Sequence, residues 1–169
     1  IGDGKDYDQK QERGRRPKNM RAVIQRVIRA QVRVEGKIIS EIGPGLLILL
    51  GVGKGDTAAQ GDSLLDKIIH LRIFEDEAGK MNLSLLDCGG ELMIISQFTL
   101  YADCRQGRRP SFTEASSPEL ANSLYDSFVE QAKRKGIRVA TGIFQTRMEV
   151  ELVNSGPVTI LLDNAKNFC

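Results

Sequence analysis

Two short polar segments hold the residue types from which a reactive centre could be made. Ser96-Gln97-Phe98-Thr99 follows the aliphatic run Leu92 to Ile95. Polar side chains at the end of a buried strand cost free energy unless they find partners. The segment therefore either turns one alternate pair to solvent or lines a pocket with hydroxyl and amide groups. The second segment, Asn154-Ser155-Gly156-Pro157-Val158-Thr159, separates two apolar stretches. It reads as a turn, and Gly156-Pro157 is a candidate cis bond because X–Pro peptides reach cis at only about 0.5–1 kcal/mol.

The remaining inventory excludes several chemistries. The one histidine, His70, sits in an apolar-rich helical stretch where a structural role is the simpler reading, and no G-x-S-x-G elbow accompanies it. Cys88, Cys104 and Cys169 are odd in number, widely spaced and free of CxxC pairing, as expected of free thiols in a reducing compartment. There is no H-E-x-x-H, Cys/His cluster or EF-hand loop, so no metal and no cofactor is expected. Gly51-Val52-Gly53-Lys54-Gly55-Asp56-Thr57 follows a strand but lacks phosphate-loop spacing and reads as a turn. An enzyme built from this chain would work with hydroxyls, amides and backbone groups.

These residues need a frame, and the hydrophobic pattern supplies one. Ala22–Val27 and Ala30–Val34 alternate as half-buried strands do, and Glu35-Gly36-Lys37 turns the chain into Ile38–Ile42. Leu46–Val52 is an unbroken apolar run, expected of a strand covered on both faces. Leu64, Leu65, Ile68 and Ile69 place a helix over Asp62–Leu71, and Leu92–Leu100 reads as a further strand. A second helix starts at Ser117-Pro118, a capping hydroxyl before proline at the first helical position. Leu120, Leu124, Phe128 and Ala132 mark its buried face, and Gly136 stops it after Lys133-Arg134-Lys135. Met148–Val153 and Val158–Leu162 complete the strands. The expectation is an α+β domain, a strand-rich sheet or barrel-like fold with at least two helices packed on it.

Composition sets outer limits. The chain has 169 residues, 41% hydrophobic with no Trp, so one domain with an aliphatic core suffices. Its net charge of +2 sits in residues 1–19, which hold six basic and four acidic side chains; eighteen of each remain in 20–169. Nucleic-acid contact would therefore rest on local patches. Residues 1–19 are too polar to pack and read as a disordered tail, an extension or an expression remnant, with the domain spanning 20–169. No apolar stretch is long enough for a membrane span. A cytoplasmic location is expected, with organellar import through the tail left open.

Taken together, the two polar segments resemble the signatures of the D-aminoacyl-tRNA deacylase family, an SQxxT strand and an NxGPxT loop. Collinear stretches extend the likeness over residues 20–164: Met20–Val27, Gly45–Gly51, Arg72–Asp76, Gly79–Asn82 and Arg109–Phe112. The resemblance implies a homodimer that hydrolyses D-aminoacyl-tRNA, and glycine mischarged on non-cognate tRNA, as chiral proofreading in translation. Ser96, Gln97, Phe98 and Thr99 would form the catalytic and adenosine-binding strand end. Gly156 and Pro157, with Asn154 and Thr159, would form a chirality filter entering the partner subunit's pocket.

The implied chemistry is consistent with the residues present. Carbonyl oxygens of the Gly-Pro pair would accept hydrogen bonds from the substrate's α-ammonium, leaving one exit for the side chain; an L side chain would collide with the loop. The ammonium already activates the ester, so water assisted by the ribose 2′-OH could attack while N–H groups near Phe98 and Thr99 hold the oxyanion. Thr99 is the one nearby hydroxyl that could instead be a nucleophile, but its motif contains no base. Arg105, Arg108 and Arg109 are candidates for the tRNA acceptor end, against an ordinary solvated loop. Three rival readings remain: a deacylase for a different mischarged tRNA such as L-alanine, a non-catalytic nucleic-acid-binding dimer, and a purely structural dimer.

Overall fold

A computed structural model describes residues 19–168 of the chain. Strand β1 (Arg21–Val34) turns through Glu35 and Gly36, both with positive φ, into β2 (Lys37–Ile42). Two such residues in succession match the twist of a tight hairpin. The chain continues through β3 (Gly45–Gly51), α1 (Ala58–Ile69), the short hairpin β4 (Phe74–Glu75) and β5 (Met81–Leu83), and α2 (Leu85–Cys88). Then come β6 (Glu91–Ser96), a 3-10 turn (Phe98–Tyr101), α3 (Pro118–Arg134), β7 (Val139–Thr141) and β8 (Glu149–Asp163).

The main sheet runs β2-β1-β3-β6-β7, with β8 on the other edge of β1. Helices α1 and α3 lie in the crossovers that make β3/β6 and β6/β7 parallel; the other pairings are antiparallel. The sheet curls on itself into a nearly closed, barrel-like form, and Ser40 Oγ on β2 donates to the Thr141 carbonyl on β7 at 2.6 Å.

The two faces of this sheet explain the sequence pattern. Leu46, Ile48 and Leu50 of β3, with Leu92 and Ile94 of β6, pack under Leu65, Ile68, Phe128 and Ala132 of the helices. Leu47, Met93 and Ile95 point the opposite way, into a second cluster with Val27, Ala30 and Val32. The apolar run in β3 is thus covered on both sides. In β1 the inward parity changes after Val27. Two steps of β1, Val27 to Arg29, oppose one step of β8, so Ile28 is an extra, exposed residue. Such a bulge bends the strand and lets the sheet curl. Close approach fixes Gly45: a Cβ there would lie 1.9 Å from the Glu91 carbonyl oxygen on the parallel neighbour.

The frame expected from sequence is present, with differences. Helix α3 has its Ser117 cap, Pro118 at the first turn and Gly136 at positive φ after its end, but Leu120 on its expected buried face is exposed. Helix α1 begins at Ala58, earlier than Asp62, because Gln60 and Thr57 form a capping box. The strand expected over Leu92–Leu100 stops at Ser96, and the chain coils into the 3-10 turn. The stretches around Asn154–Thr159 form one strand, β8, not two strands joined by a turn. Asn19, assigned to the tail, is buried: its Nδ2 donates to Asp163 Oδ2 at 3.2 Å, and its carbonyl accepts from the Tyr101 hydroxyl. The rest of the tail, residues 1–18, lies outside the described residues, as does Cys169.

Candidate active site

Where β6 ends, the backbone prepares a reactive surface. Gln97 N–H still donates to the Leu50 carbonyl at 2.8 Å, as a strand residue would. Beyond it Leu100 N–H donates to Gln97 O at 3.3 Å and Ala102 N–H to Thr99 O at 3.0 Å, closing the 3-10 turn. The first N–H groups of a helical turn have no partner within it. Here those are the N–H groups of Phe98 and Thr99, and they find no acceptor among the described residues.

Beside this turn lies a cavity of about 520 Å³. Ser96, Gln97 and Phe98 form one wall, Ser116, Pro118, Ala121 and Tyr125 at the start of α3 another, and Ile143–Arg147 with Met148 and Val150 the third. The lining is mainly apolar and aromatic, suited to a flat heterocycle with a few polar anchors. Its ionisable groups are Tyr125 and Arg147. Burial, with a smaller contribution from the Asp126 charge, pushes the Tyr125 phenol up to about 12, and its hydroxyl donates to the Ile94 carbonyl at 2.6 Å. Tyr125 is therefore neutral and engaged. His70 is exposed at the end of α1, with its Nδ1 2.7 Å from the Asp66 carbonyl, and is not part of the lining. The lining contains no histidine, lysine or carboxylate that could act as a general base.

Thr99 is exposed beside the cavity and does not line it. Its Oγ accepts a hydrogen bond from the Gln97 side-chain amide. That partner is a donor, so it holds the hydroxyl without activating it as a nucleophile.

The second polar segment sits elsewhere. Asn154 pairs with Val27 and Thr159 with Gln25, so residues 155–158 bulge out opposite Arg26. The Gly156–Pro157 bond is cis, and both residues are exposed. The bulge is fastened from below. Arg26 is 6% exposed; its Nε donates to Ser155 O at 3.2 Å and its Nη1 to Ile73 O at 2.7 Å, with Glu75 Oε1 at 3.6 Å from Nη2. With its amide nitrogen turned toward acceptors, Asn154 donates to Arg26 O at 2.8 Å and Val158 O at 3.2 Å. Thr159 is exposed just past the bulge. Val150, on the same strand, lines the cavity, whereas neither Gly156 nor Pro157 does. The Gly-Pro pair is thus not part of the cavity lining of its own protomer.

Arg105, Arg108 and Arg109 are exposed on the loop between Asp103 and Ser111, which bond to each other through both backbone groups at 2.8 and 3.0 Å. Arg105 is engaged by Asp103, and none of the three lines the cavity. Sequence reasoning missed Arg26, Phe144 and Arg147. Arg26 carried a signal: Ala22, Ile24 and Arg26 share the inward face of β1, and a charged residue at a buried position calls for a structural partner. Phe144 and Arg147 come from a segment without periodicity and carried none. Among the described residues no cluster of His, Cys, Asp and Glu is placed to hold a metal, and no helix is long and apolar enough to cross a membrane.

Comparison with known proteins gives a consistent result. The family model described as D-Tyr-tRNA(Tyr) deacylase matches residues 23–163. Proteins named D-aminoacyl-tRNA deacylase from Clostridioides difficile (strain 630) and Thermosipho africanus (strain TCF52B) are each 59% identical over 149 residues, 88% of this chain and 100% of theirs. A solved structure named c-Myc DNA Unwinding Element Binding Protein is 43% identical, with a TM-score of 0.79 over 84% of this chain and 97% of that one. Another, titled as a probable eukaryotic D-amino acid tRNA deacylase, shares the fold at a TM-score of 0.76 and 18% identity, over 86% and 99% of the two chains.

Proposed function

The chain belongs to the D-Tyr-tRNA(Tyr) deacylase family and is an enzyme of that family; on this premise we propose that it works as a homodimer whose Gly156-Pro157 loops each complete the partner's cavity. The reaction is hydrolysis of the ester joining a D-amino acid, or glycine, to the tRNA 3′ end. The observation that carries this reading is the separation of parts. The cavity has a mainly apolar lining and, beside it, free N–H groups at Phe98 and Thr99, while the exposed Gly-Pro bulge is not part of that lining.

In this reading the terminal adenosine enters between Tyr125, Phe144 and the Ser96–Phe98 wall. The ester carbonyl faces the Phe98 and Thr99 N–H groups, which stabilise its oxygen as negative charge develops. Water, assisted by the ribose 2′-OH, attacks the carbonyl carbon. The C–O bond to the ribose then breaks, and the ribose oxygen takes a proton from the attacking water. The amino acid leaves as a carboxylate, its remaining proton passing to solvent. The partner's Gly-Pro carbonyl oxygens hold the α-ammonium, so a D side chain leaves toward open space and an L side chain meets the loop. Glycine has no side chain to exclude. Cytoplasmic proofreading of mischarged tRNA is the corresponding role.

A second reading has one observation behind it: the name of the 43% identical solved relative refers to DNA binding. Equal numbers of acidic and basic residues in 20–169 disfavour tight binding to duplex. The test compares hydrolysis of D-Tyr-tRNA and L-Tyr-tRNA, with Pro157→Ala as control. Cleavage of the D ester alone, with selectivity or rate lost in the control, supports the proposal. If neither ester is cleaved faster than in buffer, the deacylase reading fails and duplex binding is measured instead.

A further inference from the structure

We propose that the Phe98–Phe112 ring pair is a stacking platform for the nucleotide preceding the terminal adenosine, so that the enzyme reads a single-stranded 3′ end of at least two nucleotides. This rests on the deacylase reading and adds a second subsite to it.

Phe98 is the starting observation. It lines the cavity yet is 57% exposed, an unusual loss of burial for a large ring. Its ring meets Phe112 edge-on, with centroids 5.1 Å apart and planes at 65°. Phe112 is half-buried and comes from a separate segment. That segment is anchored on both sides of the ring. Ser111 and Asp103 exchange backbone hydrogen bonds before it, and Lys54 N–H to Glu114 O and Ser116 N–H to Val52 O, both at 3.0 Å, follow it. The chain thus places an exposed ring of the cavity lining against a half-buried ring on a braced support.

Single-stranded nucleic acid is commonly held by bases stacked on exposed aromatic side chains beside basic groups. Both components are here. Arg108 and Arg109 are exposed on the loop leading into Phe112, and exposed Arg147 stands on another wall of the cavity. An RNA strand whose last base occupies the cavity must leave through its mouth. The preceding base then meets the ring pair, and its phosphates run among guanidinium groups. Because every base has a π-face, the platform recognises an unpaired nucleotide without selecting its identity.

The experiment compares kcat/KM on three D-tyrosyl esters: of adenosine, of the dinucleotide CpA, and of tRNA. Wild-type protein should cleave the CpA ester about tenfold faster than the adenosine ester, the scale of one base stacked on an aromatic ring. Phe112→Leu, which keeps an apolar group against Phe98, should abolish that gain and leave the adenosine ester unaffected. Phe112→Tyr should restore it. Equal rates on adenosine and CpA esters in wild type, or equal slowing of both by Phe112→Leu, would overturn the platform and leave the deacylase reading standing. Failure of wild type on all three esters would overturn both.

Discussion

The guanidinium of Arg26 occupies the space that any side chain on residue 156 would need. A Cβ built on Gly156 would stand 2.6 Å from Arg26 Nη2, and residue 156 has a φ of +113°, where L side chains are strained. Arg26 is itself held by the Ile73 and Ser155 carbonyls and by Glu75. The exposed loop is thus set in place by a buried charge from the opposing strand.

Removing that charge should loosen the Gly-Pro loop and with it the proposed chirality filter. Arg26→Ala leaves two carbonyls without their donor in a largely buried position, a loss of about 2–4 kcal/mol in folding stability. Arg26→Lys keeps the charge but not the fork that reaches both carbonyls and should recover only part of it. Urea denaturation gives the stability change. The ratio of D- to L-Tyr-tRNA hydrolysis should fall in both variants, more in Arg26→Ala.

Thr99 should be dispensable as a nucleophile. Its hydroxyl accepts from Gln97, and no base lines the adjoining cavity. Thr99→Ala should keep hydrolysis within about tenfold of wild type, since the proposed oxyanion donors are backbone groups. His70→Asn should leave both the rate and its pH profile unchanged, because His70 lies outside the cavity lining. Mass spectrometry after a rapid acid quench should find no acyl-enzyme. Trapping one on Thr99 would replace this mechanism with a covalent one.

The arginine loop should contribute through charge. Arg105 is paired with Asp103, so the proposed tRNA contacts would fall to Arg108 and Arg109. Arg108→Gln and Arg109→Gln should each lower the slope of log affinity against log salt by about one, whereas Arg105→Gln should change it less. Unchanged slopes would return this segment to the status of a solvated loop.

Glu91 ties the barrel across three segments and should confer a pH dependence on stability. It accepts from Arg138 Nη1 at 2.7 Å and from Gly43 N–H at 2.8 Å; the Arg138 hydrogen bond, more than the Gly43 one, holds its carboxyl below the ordinary carboxylate value. With a folded pKa below the unfolded one, the native state prefers the charged form. The stabilisation is therefore complete above the unfolded value, about 4.5, and is lost as pH falls through the lowered folded value. Chemical denaturation of wild type and Glu91→Gln between pH 7 and 3 should show the two stabilities converging at the acid end.

The order of elements was legible in the sequence where one period dominates. Leu46–Val52 announces a strand covered on both faces, and Ser117-Pro118 with Gly136 marks the limits of a helix. Ser96 to Leu100 was not legible as a turn, because Ser-Gln-Phe-Thr-Leu continues the strand's alternation while the backbone leaves it. Nor was the continuity of β8: its two halves belong to one strand because both pair with β1, a long-range relation that local pattern does not contain. Ser96-Gln97-Phe98 forms one wall of the cavity, but its other walls come from α3 and from residues 143–150, and the Asn154–Thr159 segment is not among them. Proximity among such separated segments is set by the curl of the sheet. Arg26 was the one missed residue with a signal, an arginine in phase with Ala22 and Ile24.

Heterodimers of two defective chains reveal whether each site is completed by the partner's loop. One chain carries Pro157→Ala and the other Ser96→Phe, which fills the cavity, with different tags so that the mixed dimer is purified from both homodimers. The mixed dimer contains one intact cavity facing one intact loop, and it should hydrolyse D-Tyr-tRNA at about half the wild-type rate while both homodimers are defective. A mixed dimer as inactive as its parents, with folding confirmed, would contradict the account and place cavity and loop in the same subunit's site.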